Sequence, residues 1–145
     1  MTKADKLKAM VDTANCYYIA YTRCMEQRPI DLKTFQMLPF PALTCLSFSC
    51  EVYLKTLLFY FGSSIPNIHD LKKLFNLLPE NIRDYIQKAY NNPTRFTNDL
   101  DDTKEYFLSS RYLYEKEAGN FSFVFILWFR EKLKEVVNNQ IKEIP

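Results

Sequence analysis

The sequence predicts an all-α domain of five to six helices, and three observations point there. Prolines cluster, leaving residues 2–28, 42–65 and 94–144 without one, and a proline-free stretch is where a long helix can run unbroken. Only two glycines occur in 145 residues, Gly62 and Gly119, so the backbone freedom that tight hairpins and phosphate-cradling loops require is nearly absent. Within the long stretches apolar residues recur at alternating three and four positions, the period of one helix face. No segment alternates convincingly with period 2, and no hairpin dipeptide is convincing. A chain of this length with 48% apolar residues makes one domain, residues 1–145, able to bury a substantial core.

The first helix starts with Thr2 as N-cap. Its stripe runs through Leu7, Met10, Ala14, Tyr17, Tyr21 and Cys24, widened by Val11, Tyr18 and Met25. The second runs from about Pro41 to Phe61 and stops at Gly62, with Leu43, Leu46, Cys50, Leu54, Leu57 and Phe61 on one face. On it Glu51 precedes Lys55 by one turn, the favourable order for an ion pair. A short third helix carries His69, Asp70, Leu71, Leu74 and Phe75, with Asn67 as its expected cap and Asp70 in its first turn.

Pro79 opens a fourth helix at its first position, with Ile82, Ile86 and Ala89 facing inward and Asn91-Asn92-Pro93 ending it. A fifth is expected from Asn98 or Asp99, with Asp101 and Asp102 in the first turn and Phe107, Leu108 and Arg111 near its end. Gly119-Asn120 breaks the chain, and Asn120 caps a last helix reaching about Ile144. There Ile126, Phe129, Leu133, Val137 and Ile144 share one arc, while Val124 and Trp128 fall on the opposite side. Two apolar sides ask for burial on both. Either this helix is central within the bundle, or its second side, Val124 and Trp128, meets another subunit; a five- or six-helix domain of this size rarely encloses a helix completely, which favours the subunit contact and a homodimer.

Composition narrows the function classes. Nineteen Lys and Arg against 17 Asp and Glu give a net charge of +2, far from the strongly basic balance of a dedicated nucleic-acid binder. The polar N-terminus MTKADKLKAM does not read as a secretory signal, and the longest apolar run, Phe123 to Phe129, is well short of the roughly 18 residues of a membrane span. The expectation is a cytoplasmic protein with no membrane association. Cys16, Cys24, Cys45 and Cys50 lack CxxC spacing and the chain has one histidine, so no metal and no cofactor are expected.

No serine-hydrolase elbow, phosphate-binding loop, HExxH pair or dinucleotide fingerprint is present. His69, in the context PNIHDL, reads first as a helix-start residue tying a loop to a neighbouring helix. Adjacent Asp101 and Asp102 point about 100° apart on a helix and converge poorly on a metal; with Asp99 they suit the helix N-terminus. The mixed-sign run FREKLKE places Arg130, Lys132 and Lys134 on an exposed helix surface.

The stretch CEVYLKTLLFYFGSSIPNIHDLKKLFNLLP carries Glu51, then Leu54-Lys55, a glycine-ended turn at Gly62, and His69-Asp70-Leu71 opening the next helix. FLSSRYLYE follows with Arg111, Tyr112 and Glu115. In their order and spacing these elements resemble the HEPN domain family from about residue 5 to 140. The resemblance implies an up-and-down helical bundle, frequently dimeric, in toxin–antitoxin, phage-defence or nucleotide-linked systems, sometimes beside a nucleotidyltransferase partner protein. Active members are metal-independent ribonucleases with an Arg followed four to six residues later by His. Here no arginine lies between Arg28 and His69 and no second histidine exists, so that pair is not carried over and no catalytic residue is assigned.

Three readings follow. In the first, Lys55, His69, Arg111 and Tyr112 line a groove that binds a nucleotide, RNA or a partner protein, with Glu51 and Asp70 as supporting ion-pair partners. In the plainer account of those residues, Glu51–Lys55 and Asp70–Arg111 only fix helix register. A second reading is a ribonuclease toxin with a non-standard His69/Arg111 site. The third is an oligomerisation unit held together through Val124 and Trp128.

Overall fold

Thr2 opens α1 (Lys3–Cys24) with a capping box: its hydroxyl accepts from Asp5 N–H at 3.1 Å and the Asp5 carboxylate accepts from Thr2 N–H at 3.2 Å. The computed structural model describes residues 1–112, 114 and 121–142. α2 (Pro39–Tyr60) begins two residues before the expected Pro41, with prolines inside its first turn, and ends at Gly62, whose φ of +87° suits a residue without Cβ. The shorter helices are α3 (Leu71–Asn76), α4 (Glu80–Ala89), α5 (Phe96–Thr103) and α6 (Tyr106–Ser109), with one 3₁₀ turn at Pro93–Arg95; α7 (Val124–Gln140) closes the described chain. The chain is all-α, as predicted.

α1 and α2 pack antiparallel along their whole length. Ser49, fully buried, donates its hydroxyl to Ala14 C=O at 2.7 Å, and Tyr53 bonds Asn15. α7 lies on another side of α2, where Cys50 Sγ donates to Ile126 C=O at 3.8 Å; burial pushes that thiol's pKa far up, so it behaves as a small core side chain. Leu46, Leu54, Leu57, Ile126, Phe129 and Leu133 form the fully enclosed centre. α2 is long and apolar enough to cross a membrane by composition alone, yet 72% of that apolar window is buried inside the domain, which marks it as the core helix.

Several expectations change. A small antiparallel hairpin, β1 (Arg28–Pro29) with β2 (Phe35–Gln36), joins α1 to α2. Two-residue strands are too short to leave a period-2 signal, and the turn relies on Asp31, whose carboxylate accepts from Lys33 and Thr34 N–H at 2.8 and 2.9 Å, instead of on glycine. α3 is capped by Asp70, not Asn67: Asp70 Oδ1 accepts from Lys73 N–H at 3.0 Å, one residue outside the helix. Pro79 likewise stands just outside α4, as its cap.

The single helix expected after Asn98 is two. α5 starts earlier, at Phe96, and stops at Thr103; the Lys104 carbonyl turns away to accept from Leu71 N–H at 2.9 Å, tying this break to the start of α3. Asp101 and Asp102 therefore lie late in α5, not in its first turn. Asp101 accepts from Lys72 at 3.0 Å and Lys104 at 3.1 Å, which holds its carboxyl below the usual range. The expected break and cap at Gly119-Asn120, the Glu115 match and the expected end at Ile144 lie outside the described residues.

Arg130 is the largest departure. Expected on an exposed charged surface, it is only 2% exposed. It lies one turn beyond Ile126 and one before Leu133, so the helix period carries it inward whatever the signs of its neighbours. Its guanidinium carbon sits 3.4 Å from the Tyr18 ring centroid, Nη2 donates to Tyr53 Oη at 3.2 Å, and Nη1 pairs with Glu131. Nε has no partner among the described residues.

Trp128 is half-buried within its own domain, 4.7 Å from the Tyr90 ring and packed beside Phe96 and Phe125, while Val124 remains 78% exposed. The second apolar side of α7 is thus covered at Trp128 by the α4–α5 connection.

Candidate functional site

Glu51 is the anchor of the polar cluster. The apolar period of α2 turns its side chain inward, and it is 1% exposed. A carboxylate so deep needs partners, and two arrive from different directions. Lys55, one turn on, places Nζ 3.0 Å from Oε2. His69, in the segment before α3, places Nδ1 3.0 Å from both oxygens. An ionised carboxylate only accepts, so Nδ1 carries the proton and Nε2 is left for another partner; no described residue bonds it.

Chain geometry explains why His69 gets there. Gly62 ends α2 and lets the chain double back through 63–69, and the Asp70 cap fixes the first turn of α3 immediately afterwards. Asp70 is spent on that cap. It does not pair with Arg111, so the register-fixing Asp70–Arg111 bridge expected from the sequence is absent, and Asp70 supports the site only by holding the backbone next to His69.

Arg111 reaches the cluster through an aromatic ring. The Phe107 ring on α6 lies tilted 4.9 Å from that of Phe48 of α2, and Phe48 meets Tyr17 of α1 edge-on at 4.6 Å. The His69 ring lies 5.2 Å from Phe107, and the Arg111 guanidinium carbon lies 4.9 Å from the same ring. Arg111 also donates Nη2 to Tyr112 Oη at 3.0 Å and lies over that ring at 5.3 Å. The Thr44 and Ser110 hydroxyls, 2.6 Å apart, hold α6 against α2.

The structure therefore joins Glu51, Lys55 and His69 by direct contact and brings Arg111 with Tyr112 beside them across Phe107. Phe107 is the site member that the sequence does not single out: it reads there only as an apolar residue near a helix end, and its aromatic type one turn before Arg111 is the available signal. Val124 and Trp128 lie elsewhere, at the start of α7.

One buried carboxylate against two permanent cations leaves the cluster net positive, with the imidazole Nε2 and the aromatic Tyr112 beside it. Such a set offers charge-assisted donors to an anion and a ring for a planar group. Among the described residues no group of three His, Cys, Asp or Glu side chains converges as a metal would need. The sequence comparison with family models finds a match over residues 47–142 to the model described as HEPN domain. No curated protein and no solved structure matches the chain. The matched span begins within α2 just before Glu51 and includes His69 and Arg111.

Proposed function

The chain belongs to the HEPN domain family, and on that premise we propose that it is a non-catalytic binding module whose Lys55–His69–Arg111 surface takes the phosphate of a nucleotide or of RNA. The observation that carries this reading is the buried Glu51 carboxylate gripping Lys55 and His69 at once. Neither long side chain then has to be ordered when a ligand arrives, so less entropy opposes binding. Arg111, pinned on Phe107 and Tyr112, adds a second fixed cation. The setting is a toxin–antitoxin or phage-defence system, with a nucleotidyltransferase as one partner protein. Thermal shift and calorimetric titration with ATP, AMP and a short single-stranded RNA test the reading. Stabilisation that disappears in Lys55→Ala and Arg111→Ala supports it, and no response to any of the three at millimolar concentration defeats it.

A second reading is favoured by the Glu51–His69 contact itself. A carboxylate on Nδ1 is how an imidazole is oriented to move a proton at Nε2, with Arg111 as the cation nearest to a phosphate there. In that case the protein cleaves RNA in the presence of a metal chelator, and His69→Ala abolishes the cleavage.

A further inference from the structure

The end of α4, the second half of α5 and the starts of α6 and α7 enclose a cleft of about 560 Å³, the size that takes a small ligand. None of Lys55, His69 and Arg111 lines it, so it is separate from the surface described above. Three of its walls are aromatic, Tyr90, Tyr106 and Phe125, and Asp99 and Asp102 enter it one turn apart from α5.

The rings are fixed before any ligand arrives. Tyr90 stands nearly perpendicular to Phe125 at 5.3 Å and lies 4.7 Å from Trp128, and its hydroxyl donates to Asp99 Oδ2 at 2.6 Å. Tyr106 meets Phe121 edge-on at 5.1 Å, and its hydroxyl accepts from Ser122 N–H at 3.2 Å. Walls held at both ends bind with little further ordering cost.

The hydrogen-bonding capacity of the cleft is tilted towards acceptors. Thr103, which is buried, spends its proton on Leu100 C=O at 3.1 Å and keeps an oxygen that can only accept. Asp102 is exposed and joins no ion pair among the described residues. Arg95 approaches Asp99 Oδ1 at 3.7 Å with 64% of its side chain in water, a loose pair of little energetic weight. The carboxylates are not there to cap α7: Ser122 Oγ accepts from Val124 N–H at 3.3 Å. Two full negative charges also outweigh the roughly half unit of positive charge that a helix N-terminus carries.

We propose that this cleft binds an organic cation, an ammonium or guanidinium group on an alkyl stem, with its charge on Asp102 and Asp99 and its stem against Tyr90, Tyr106 and Phe125. Aromatic faces attract such a group as well as shielding it, and a donor-rich head matches a site of acceptors. A metal ion fits less well, because it asks for more oxygen ligands than two carboxylates on one helix supply, and no third acid, histidine or cysteine converges among the described residues. The same chemistry is carried by a free polyamine and by a lysine or arginine side chain of a partner.

Trp128 is the only tryptophan in the chain and touches the Tyr90 wall, so its fluorescence reports on the cleft. Calorimetry and Trp128 emission are read together while spermidine, N-acetyl-arginine amide and its uncharged counterpart N-acetyl-citrulline amide are titrated into the full chain. Saturable binding of spermidine, of the arginine derivative or of both is expected, with a change in Trp128 emission and no binding of the citrulline derivative. Spermidine alone assigns the cleft to a free polyamine, and the arginine derivative alone assigns it to a partner's side chain. Asp102→Asn, at an exposed position, is expected to weaken binding roughly tenfold or more. Val124→Arg, at a position 78% exposed on the cleft lining, supplies a tethered cation and is expected to abolish binding. Asp12→Asn, beside the other end of α7, is expected to change nothing. No saturable binding of either cation at millimolar concentration overturns the proposal. So does equal binding of the citrulline derivative, binding that leaves Trp128 emission unmoved, or an affinity that Asp102→Asn and Val124→Arg leave intact. An equal loss in Asp12→Asn also overturns it, since that marks diffuse attraction to surface acids.

Discussion

Glu51 and His69, eighteen positions apart, meet with Nδ1 3.0 Å from both oxygens of a carboxylate that is almost wholly buried. The contact ties the loop before α3 to the core helix, and with Lys55 on the same carboxylate it places two nitrogen donors at one surface. Glu51 therefore has a structural and an electrostatic role together.

Replacing Glu51 by Gln leaves Lys55 and His69 facing a neutral amide in a mostly enclosed spot. Breaking a buried pair in this way costs about 3–5 kcal/mol, and the partial exposure of His69 places the expected loss toward the lower end. Urea denaturation measures it. Lys55→Met is expected to cost less than Glu51→Gln, because its own charge leaves with it and His69 still serves the carboxylate.

Asp70 caps α3 and has no bond to Arg111, which gives two separable outcomes. Asp70→Ala is expected to lose about 1 kcal/mol, the usual worth of a cap. A double-mutant cycle of Asp70→Ala with Arg111→Ala is expected to show coupling near zero, whereas a register-fixing bridge requires a measurable interaction.

Arg130 lies between Tyr18 and Tyr53, and its Nε has no partner among the described residues. A buried ion contributes less to stability than its enclosure suggests. Arg130→Met, which fills a similar volume, is expected to be neutral or mildly stabilising in thermal unfolding. Tyr53→Phe keeps the arginine but removes the hydroxyl that it and Asn15 share, and is expected to cost about 1–3 kcal/mol.

Tyr90 gives a pH signature. Burial and its 2.6 Å hydrogen bond to Asp99 Oδ2 push its pKa up to about 12. In the unfolded chain the phenol ionises near 10, so above that pH the unfolded state loses a proton that the folded state keeps, and stability falls as pH rises. The contribution is complete below about pH 10 and declines toward 12. Equilibrium unfolding of the wild type is expected to show this alkaline decline, and Tyr90→Phe to flatten it.

Where local signals and tertiary packing agree, the chain is readable from its residues. Thr2, Gly62 and the Glu51–Lys55 spacing each mark a feature that a single helix decides, and each stands where expected. Where a distant partner decides, the reading fails. The break at Lys104 is set by a hydrogen bond to Leu71, thirty-three positions away, so α5 and α6 merged into one expected helix. Asn67 and Asp70 are both sound caps by type; only the path of the loop selects Asp70. The charged neighbours of Arg130 point outward while its register lies on the buried arc, and the helix period outweighs the charge pattern. The grouping of Lys55, His69 and Arg111 was legible through the resemblance to the HEPN family, but Phe107, the ring between His69 and Arg111, was not.

Titration calorimetry with a short single-stranded RNA and with ATP tests most directly the proposal that Glu51 holds a phosphate-binding surface in place. Saturable binding by the wild type is expected to weaken roughly ten- to hundredfold in Arg111→Ala, the worth of one charged hydrogen bond. It is expected to weaken as well in Glu51→Gln, although Glu51 touches no ligand. Binding that is absent in the wild type, or that is indifferent to both substitutions, contradicts the account.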